Sequence, residues 1–293
     1  MNIFSSIRKA FSQYTWDLAY GEYREDIFRN GIEWKNLHIL KNPYKTKWFA
    51  DPFILDVTDE KIIFLVEEFD SGVNRGRIAK IAANRQTQTI EDCKIILDLP
   101  THLSFPAIYR EDNNIFVHPE NSASGKSTMY RYDVENDKFV DPIVVSELPL
   151  VDAIIRIEAG VYKMYATQIP DAGGKKLIVL ESDKLTGSYK QILTIEFDRR
   201  EARMAGAFVE TSEGIFRPAQ DCNRDYGEAI LFYKGKDVVY RQKPGNWKYE
   251  GLHTFNKKNG FFVIDLKVYK VTGESGNEIY VDNVTIPDNI SIG

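Results

Sequence analysis

The chain has 293 residues, 43% hydrophobic and 28% charged, a composition that suits a globular protein with a full core. A net charge of −5 with no long basic block argues against a nucleic-acid partner. No apolar run is long enough to span a bilayer and no apolar leader precedes a cleavage site, so a cytoplasmic location is expected. The two cysteines, Cys93 and Cys222, form no motif and fit a reducing compartment.

In chain order, residues 3–19 show helical spacing, with Ile3, Ile7, Ala10, Phe11 and Tyr14 on one face. The spacing predicts a short N-terminal helix packed on the domain, and residues 1–33 read as that helix and a charged lead-in. Trp34 to Leu40 alternates and reads as a lone strand. From Trp48 onward the chain repeats one plan. Phe53–Val57, Ile62–Phe69, Arg77–Ala83 and Ile90–Leu97 are four strands joined by turns. Phe105–Tyr109, Ile115–Glu120, Ser127–Asp133 and Ile143–Glu147 form the next set. Ala153–Ile157, Val161–Thr167, Leu177–Ser182 and Tyr189–Ile195 form the third. Ala207–Glu210, Ile215–Asp221, Ala229–Tyr233 and Val238–Gln242 form the fourth. Leu252–Phe255 and Phe261–Val271 begin a fifth.

Taking the units to start at 51, 105, 152, 205 and 253, the intervals are 54, 47, 53 and 48 residues. Four short antiparallel strands at a period near fifty are the mark of a propeller blade. The sequence therefore predicts an all-β fold, a five-bladed β-propeller over residues 34–293. A β-sandwich with irregular hairpins fits the regular spacing less well, and no helical pattern interrupts the strands as an α/β fold would require. The fifth unit is one strand short. The strand at Trp34–Leu40 is expected to supply it and close the ring, removing a sheet edge.

The first strand of each blade lines the central channel, so polar residues at one end of those strands converge. Asp51 and Asp152 hold matching places. Asp51 precedes Pro52, which favours an extended backbone there and a fixed carboxylate direction. The second strands add Glu67-Glu68, His118-Pro119-Glu120-Asn121, Thr167-Gln168 and Arg217-Pro218-Ala219-Gln220-Asp221. Arg203 precedes blade four and His253 opens blade five. Of Glu67 and Glu68, which point to opposite faces, one at most meets the channel. Polar groups inside apolar strands need a partner or a purpose. Acids and arginines in one pocket suit acid/base work on a polar ligand. Glycoside hydrolysis uses two carboxylates, one protonated and one ionised. Asp51 is the candidate base, and Glu120 or Asp152 the acid or the group that tunes it. Trp48, Glu68, Arg203, Arg217, Gln220, Asp221 and His253 are candidates for holding the ligand, the arginines gripping a carboxylate or phosphate. Plainer roles stand beside these. An Asp-Pro pair is commonly a turn device, Arg217 to Asp221 reads equally well as an ion-pair network between blades, and His118 and His253 as satisfied core residues. His253 at the axis also suits a water or a cation, but no cluster has metal-ligand spacing, and the chain calls for no metal and no cofactor.

These residues carry two resemblances. Ala50-Asp51-Pro52 resembles the base-bearing motif of the five-bladed propeller glycosidases of families 43 and 32. Trp48 to Phe53, Glu67-Glu68-Phe69, Ser104-Phe105-Pro106, Pro119 to Ser122, Asp152-Ala153, Arg203 to Gly206 and Arg217 to Cys222 resemble the N-terminal domain of plant glucosamine inositolphosphorylceramide transferases and its bacterial stand-alone relatives, over about residues 45 to 270. The glycosidase resemblance implies three acids, a base in blade one, a tuning Asp in blade two and a Glu acid in blade three. Asp51 matches the first. Blade two reads Ser104-Phe105-Pro106-Ala107 with no acid, and blade three offers Asp152. The second resemblance implies a role in building glycans or glycolipids, with a carbohydrate or sugar phosphate as ligand and a glycosyltransferase as partner.

Overall fold

Five antiparallel sheets stand around a common axis. The computed structural model describes residues 12–272 and 278–279. Blade one is Lys47–Val57, Lys61–Asp70, Arg75–Asn84 and Thr89–Leu97, and blade two Ser104–Glu111, Asn114–Glu120, Ser127–Asp133 and Lys138–Ser146. Blade three is Leu150–Glu158, Val161–Gln168, Lys176–Ser182 and Lys190–Glu196, and blade four Val209–Thr211, Gly214–Asp221, Ala229–Lys234 and Asp237–Gln242. The predicted five-bladed propeller and its four strands per blade are therefore found. No helix among the described residues is long and apolar enough to cross a membrane.

An N-terminal strand closes the ring, but it is a different one from that expected. Blade five runs in the order Phe255–Lys258, Phe261–Thr272, Ser12–Glu22, His38–Ile39. All eleven residues of Ser12–Glu22 pair antiparallel with the preceding strand, from Ser12 opposite Val271 to Glu22 opposite Phe261. Residues 12–19 are thus strand and not helix, and residues 3–11 of the expected helix lie outside the described residues. The helical spacing was carried mainly by those N-terminal positions. From Thr15 on, β-branched and aromatic side chains favour a pleated surface, and Trp16, Leu18 and Tyr20 are buried at every second position. Leu18 and Tyr20 join Phe49, Ile62, Phe64 and Val263 in the core between blades five and one. Of the strand expected at Trp34–Leu40, only His38–Ile39 pairs, opposite Ala19 and Tyr20. Trp34–Asn36 is a 3-10 turn instead, with the Trp34 ring stacked on Tyr249. The described residues contain one short α-helix, Ile27–Asn30, whose Phe28 packs against Phe216, Phe232 and Phe255.

The inner strands of blades one to three share a defect. Pairing skips between Ala50 and Phe53, between Ser104 and Ala107, and between Val151 and Ile154. Each gap holds a residue in the left-handed region, Asp51 (φ 49°), Phe105 (φ 43°) and Asp152 (φ 49°). The extended backbone expected before Pro52 is therefore not adopted. A bulge removes these residues from the ladder, which also makes room for prolines that cannot donate to it. Left-handed conformations strain non-glycine residues by about 1–3 kcal/mol each, so the surroundings must hold them. Phe105 is fully buried and meets Phe53 edge to face at 5.0 Å. Asp51 N–H donates to Asp265 Oδ2 at 3.0 Å, and Phe105 N–H donates to Asp51 Oδ2 at 3.3 Å. In both cases the N–H freed by a bulge is received by a carboxylate of the blade before it.

Candidate functional site

The bulges aim their residues at one end of the channel, where two linked clusters form. The first is built on Asp51, His253 and Asp265, all buried. Asp51 Oδ1 accepts the Thr254 hydroxyl at 2.7 Å and lies 3.5 Å from His253 Nε2. His253 Nδ1 is 2.7 Å from Asp265 Oδ2, an ion-pair contact whose hydrogen-bond alignment is poor. Asp265 Oδ1 accepts the backbone N–H groups of His253 and Thr254, each at 3.0 Å. The imidazole stacks on Trp16 at 3.9 Å and meets Tyr226 edge-on at 5.1 Å. Burial disfavours the charged imidazole, but Asp265 and Asp51 outweigh it and raise the His253 pKa. Burial pushes Asp51 up to about 7 despite the nearby His253, with Asp152 and Glu67 adding to the rise. Asp265 is lowered: burial opposes its charge, and His253 overcomes that.

The second cluster is Glu120, Asp152, Arg203 and Gln220. Arg203 grips Asp152 with Nε at 2.6 Å and Nη2 at 3.3 Å, and Gln220 Nε2 donates to Asp152 Oδ2 at 2.7 Å. Arg203 also lies 3.8 Å from Glu120 Oε2 and over the Tyr226 ring at 5.0 Å. Ser122 and Ser104 donate to Glu120 at 2.9 and 3.4 Å. Burial, and then the Asp152 charge with which it shares a hydrogen bond, pushes Glu120 up to about 8 against the pull of Arg203. Glu120 thus keeps its proton at neutral pH, beside an Asp152 whose two oxygens are gripped by Arg203 and Gln220.

Asp51, Glu120, Asp152, Arg203, Gln220 and His253 of the predicted set therefore converge. Four others do not. Glu68 lies on the opposite face of its strand, fully buried, with Arg77 at 2.9 and 3.0 Å and Lys47 at 2.8 Å. Its neighbour Glu67 is the channel-side residue, paired with His102 Nε2 at 3.2 Å. Asp221 is bound by Arg241 at 2.6 and 3.0 Å within blade four. Arg217, three residues from Gln220 and so on the other face, turns away between blades three and four. It donates to the Ala202 and Glu201 carbonyls and lies over Phe197 and Tyr233 at 4.9 and 4.5 Å. With no carboxylate to grip it, burial pushes its pKa down to about 10. Trp48 stacks on Phe69 at 4.8 Å, partly exposed at the edge of blade one. His118 is a core residue, its two ring nitrogens unpartnered and its pKa pushed down to about 4 by burial.

Sequence reasoning missed Asp265, Thr254, Tyr226, Trp16 and His102. One signal was present for Asp265, an acid inside the apolar run Phe261–Val268. Asp51, His253 and Asp265 also place three ligand atoms within 4.8 Å of one another. Sequence spacing could not show this, because the residues come from two blades. Asp265 already accepts three backbone N–H groups.

The acid pair yields a pH prediction. The folded pKa of Glu120 lies above its usual 4.5, at about 8. Its contribution to stability is then complete below pH 4.5 and is lost as pH rises toward 8. Urea melts should show wild type losing about 3–4 kcal/mol relative to Glu120→Gln between about pH 5 and 8. A constant difference between the two would contradict a protonated Glu120.

Comparisons with known proteins agree with this fold. Glucosamine inositolphosphorylceramide transferase 1 of Oryza sativa subsp. indica is 26% identical over 213 residues, covering 69% of this chain and 28% of that protein. The protein of the same name from Arabidopsis thaliana is 28% identical over 197 residues, 64% of this chain and 26% of its own length. The chain thus spans about a quarter of the length of these relatives. In structure, the α-L-arabinofuranosidase PaAbf62A of Podospora anserina matches with a TM-score of 0.56 at 8% identity, over 75% of this chain and 90% of that one. A family 43 β-xylosidase/α-arabinofuranosidase from a compost microbial metagenome matches with a TM-score of 0.51 at 13% identity, over 83% and 97%. These two show a shared propeller fold. The family model described as glucosamine inositolphosphorylceramide transferase 1, N-terminal, matches residues 37–277, and the chain belongs to that family.

Proposed function

We propose that this end of the channel binds a carbohydrate and acts on a glycosyl bond, by hydrolysis or transfer. The observation that carries the reading is the Glu120–Asp152 pair beside Arg203, a buried carboxyl kept protonated at neutral pH by a neighbouring carboxylate. A general acid for a glycosidic oxygen needs that state, and an acid poised near the working pH donates best. Asp51 is the second carboxyl, oriented by Thr254 and the Phe105 N–H for the role of base. Asp152, with its oxygens held by Arg203 and Gln220, positions and tunes Glu120. The family match and the glycosidase-fold neighbours support a carbohydrate-related site.

The test is a screen of glycosides, sugar phosphates and sugar nucleotides, followed by Glu120→Gln on any substrate found. Turnover should fall at least about 100-fold while ligand affinity stays within about threefold. Unchanged turnover would remove Glu120 as the acid. One observation favours a second reading: Asp152, at the blade-three acid position, is closed to substrate by its arginine. On that reading the site binds a sugar or sugar phosphate without turning it over, within glycan or glycolipid assembly and beside a partner glycosyltransferase. Tight binding with no turnover of any glycoside would favour it.

A further inference from the structure

Each inner strand begins at the site just described and runs to the opposite end of the channel. There the strands of blades two, three and five deliver Arg110, Arg156, Lys257 and Lys258 to a cavity of about 490 Å³. Glu210 of blade four is the only carboxylate among its lining residues. Asp56 acts on Arg110 and Lys258 from just outside the lining, and the cations still outnumber the acids in a chain whose net charge is −5. Nor are the cations fully committed elsewhere. Arg156 has Glu158 at 3.3 Å and Lys257 lies over the Tyr23 ring at 4.5 Å. Arg110 donates to the Leu55 carbonyl at 2.6 Å. Among the described residues, no carboxylate comes within 4.0 Å of Arg110 or Lys258. Burial, with Arg110 adding to it and Asp56 opposing, lowers the Lys258 pKa.

A second cavity adjoins the first. It is a groove of about 1010 Å³ between blades three and four, and the two share Arg156 and Phe208, which stack at 4.8 Å. Its exposed wall is mostly apolar, including Leu193, Ile215 and Val238, and the charged residues along it are equally acidic and basic. Leu193 is 50% exposed and Val238 45%, large apolar side chains left without cover. A basic pocket adjoining a groove with a largely apolar wall matches one ligand class, a molecule with an anionic head and a single apolar chain. We propose that this far end of the propeller binds an amphiphilic phosphate monoester. Its phosphate sits among Arg110, Arg156 and Lys258, and its chain lies along the groove past Phe208. The site is separate from the carbohydrate site and does not depend on that reading. Asn256 lies between the two ends and ties blade five to blades one and four, donating to the Pro52 carbonyl and accepting the Ala207 N–H, each at 2.9 Å.

The experiment is calorimetric titration of the full chain with monomeric dodecyl phosphate, with inorganic phosphate and dodecyl maltoside as comparators. Dodecyl phosphate should bind at least about tenfold more tightly than either, because the groove adds apolar contact and the basic pocket adds charge. Arg110→Gln with Lys258→Gln should weaken dodecyl phosphate binding about tenfold. Leu193→Gln should weaken dodecyl phosphate and leave inorganic phosphate unchanged. Glu210→Gln should tighten binding a few-fold, a gain that damage to the fold would not give. Equal binding of dodecyl maltoside, or dodecyl phosphate binding indifferent to the charge substitutions, would overturn the proposal. So would binding to phosphatidate vesicles with none to the monomer.

Discussion

Removal of residues 1–23 should leave a chain with no cooperative melt. Ser12–Glu22 occupies an interior place in blade five, paired with Phe261–Thr272 on one side and His38–Ile39 on the other. Trp16, Leu18 and Tyr20 are each no more than 3% exposed. Burying a large apolar side chain stabilises by about 1.5–3 kcal/mol. Losing three, together with the ladder of the last blade and closure of the ring, removes most of the roughly 5–15 kcal/mol that holds a domain folded. Circular dichroism and thermal melting decide the matter. A truncated chain melting within a few degrees of the full one would refute the role of this strand.

Substitution of Asp265 is the most damaging single change expected. Its carboxylate is fully buried, accepts the N–H groups of Asp51, His253 and Thr254, and lies 2.7 Å from His253 Nδ1. Asp265→Ala leaves three buried backbone donors and His253 Nδ1 without their carboxylate, at a cost of about 3–5 kcal/mol. Asp265→Asn keeps the shape and part of the acceptance, so its loss should be roughly half as large. The sign of the pH dependence follows from the lowered pKa of Asp265. Its contribution is present above the ordinary aspartate pKa and is lost as pH falls through the folded value. Denaturant melts of both variants check the order. An Asp265→Ala protein as stable as wild type would show that the buried knot contributes nothing.

The blades were legible because each inner hairpin carries its own turn chemistry and an apolar pattern of period two, repeated at a nearly constant interval. The third strand of blade five, Ser12–Glu22, was not. Its pairing partner lies about 250 residues away, and local spacing upstream of Ser12 suggested a helix. The site was legible to the extent that it sits at blade openings: Asp51, Glu120, Asp152, Arg203, Gln220 and His253 all arrive together. Errors came from which face of a strand a residue takes. Glu68, Arg217 and Asp221 are one or three positions from residues that do face the channel, and alternation turns them into ion pairs or inter-blade packing. The left-handed backbone at Asp51, Phe105 and Asp152 was hidden for a further reason. At Asp51 and Phe105 the following proline favours an extended residue locally, and the N–H freed by the bulge is received by a carboxylate from the preceding blade.

The pairing of Ser12 with Val271 has a consequence for how the protein is made. At roughly 5–20 residues per second, a ribosome takes some tens of seconds to deliver the partner of a strand made about 250 residues earlier. During that interval Trp16, Leu18 and Tyr20 have no sheet to join, and an unpaired aromatic strand is a template for the wrong neighbour. Blades one to four can assemble as they appear, but the ring shuts only after synthesis has passed the fifth. Biogenesis of this propeller therefore ends in a slow long-range closure, and a holding chaperone acting on the waiting Ser12–Glu22 strand would raise its yield more than any stabilisation of the finished blades.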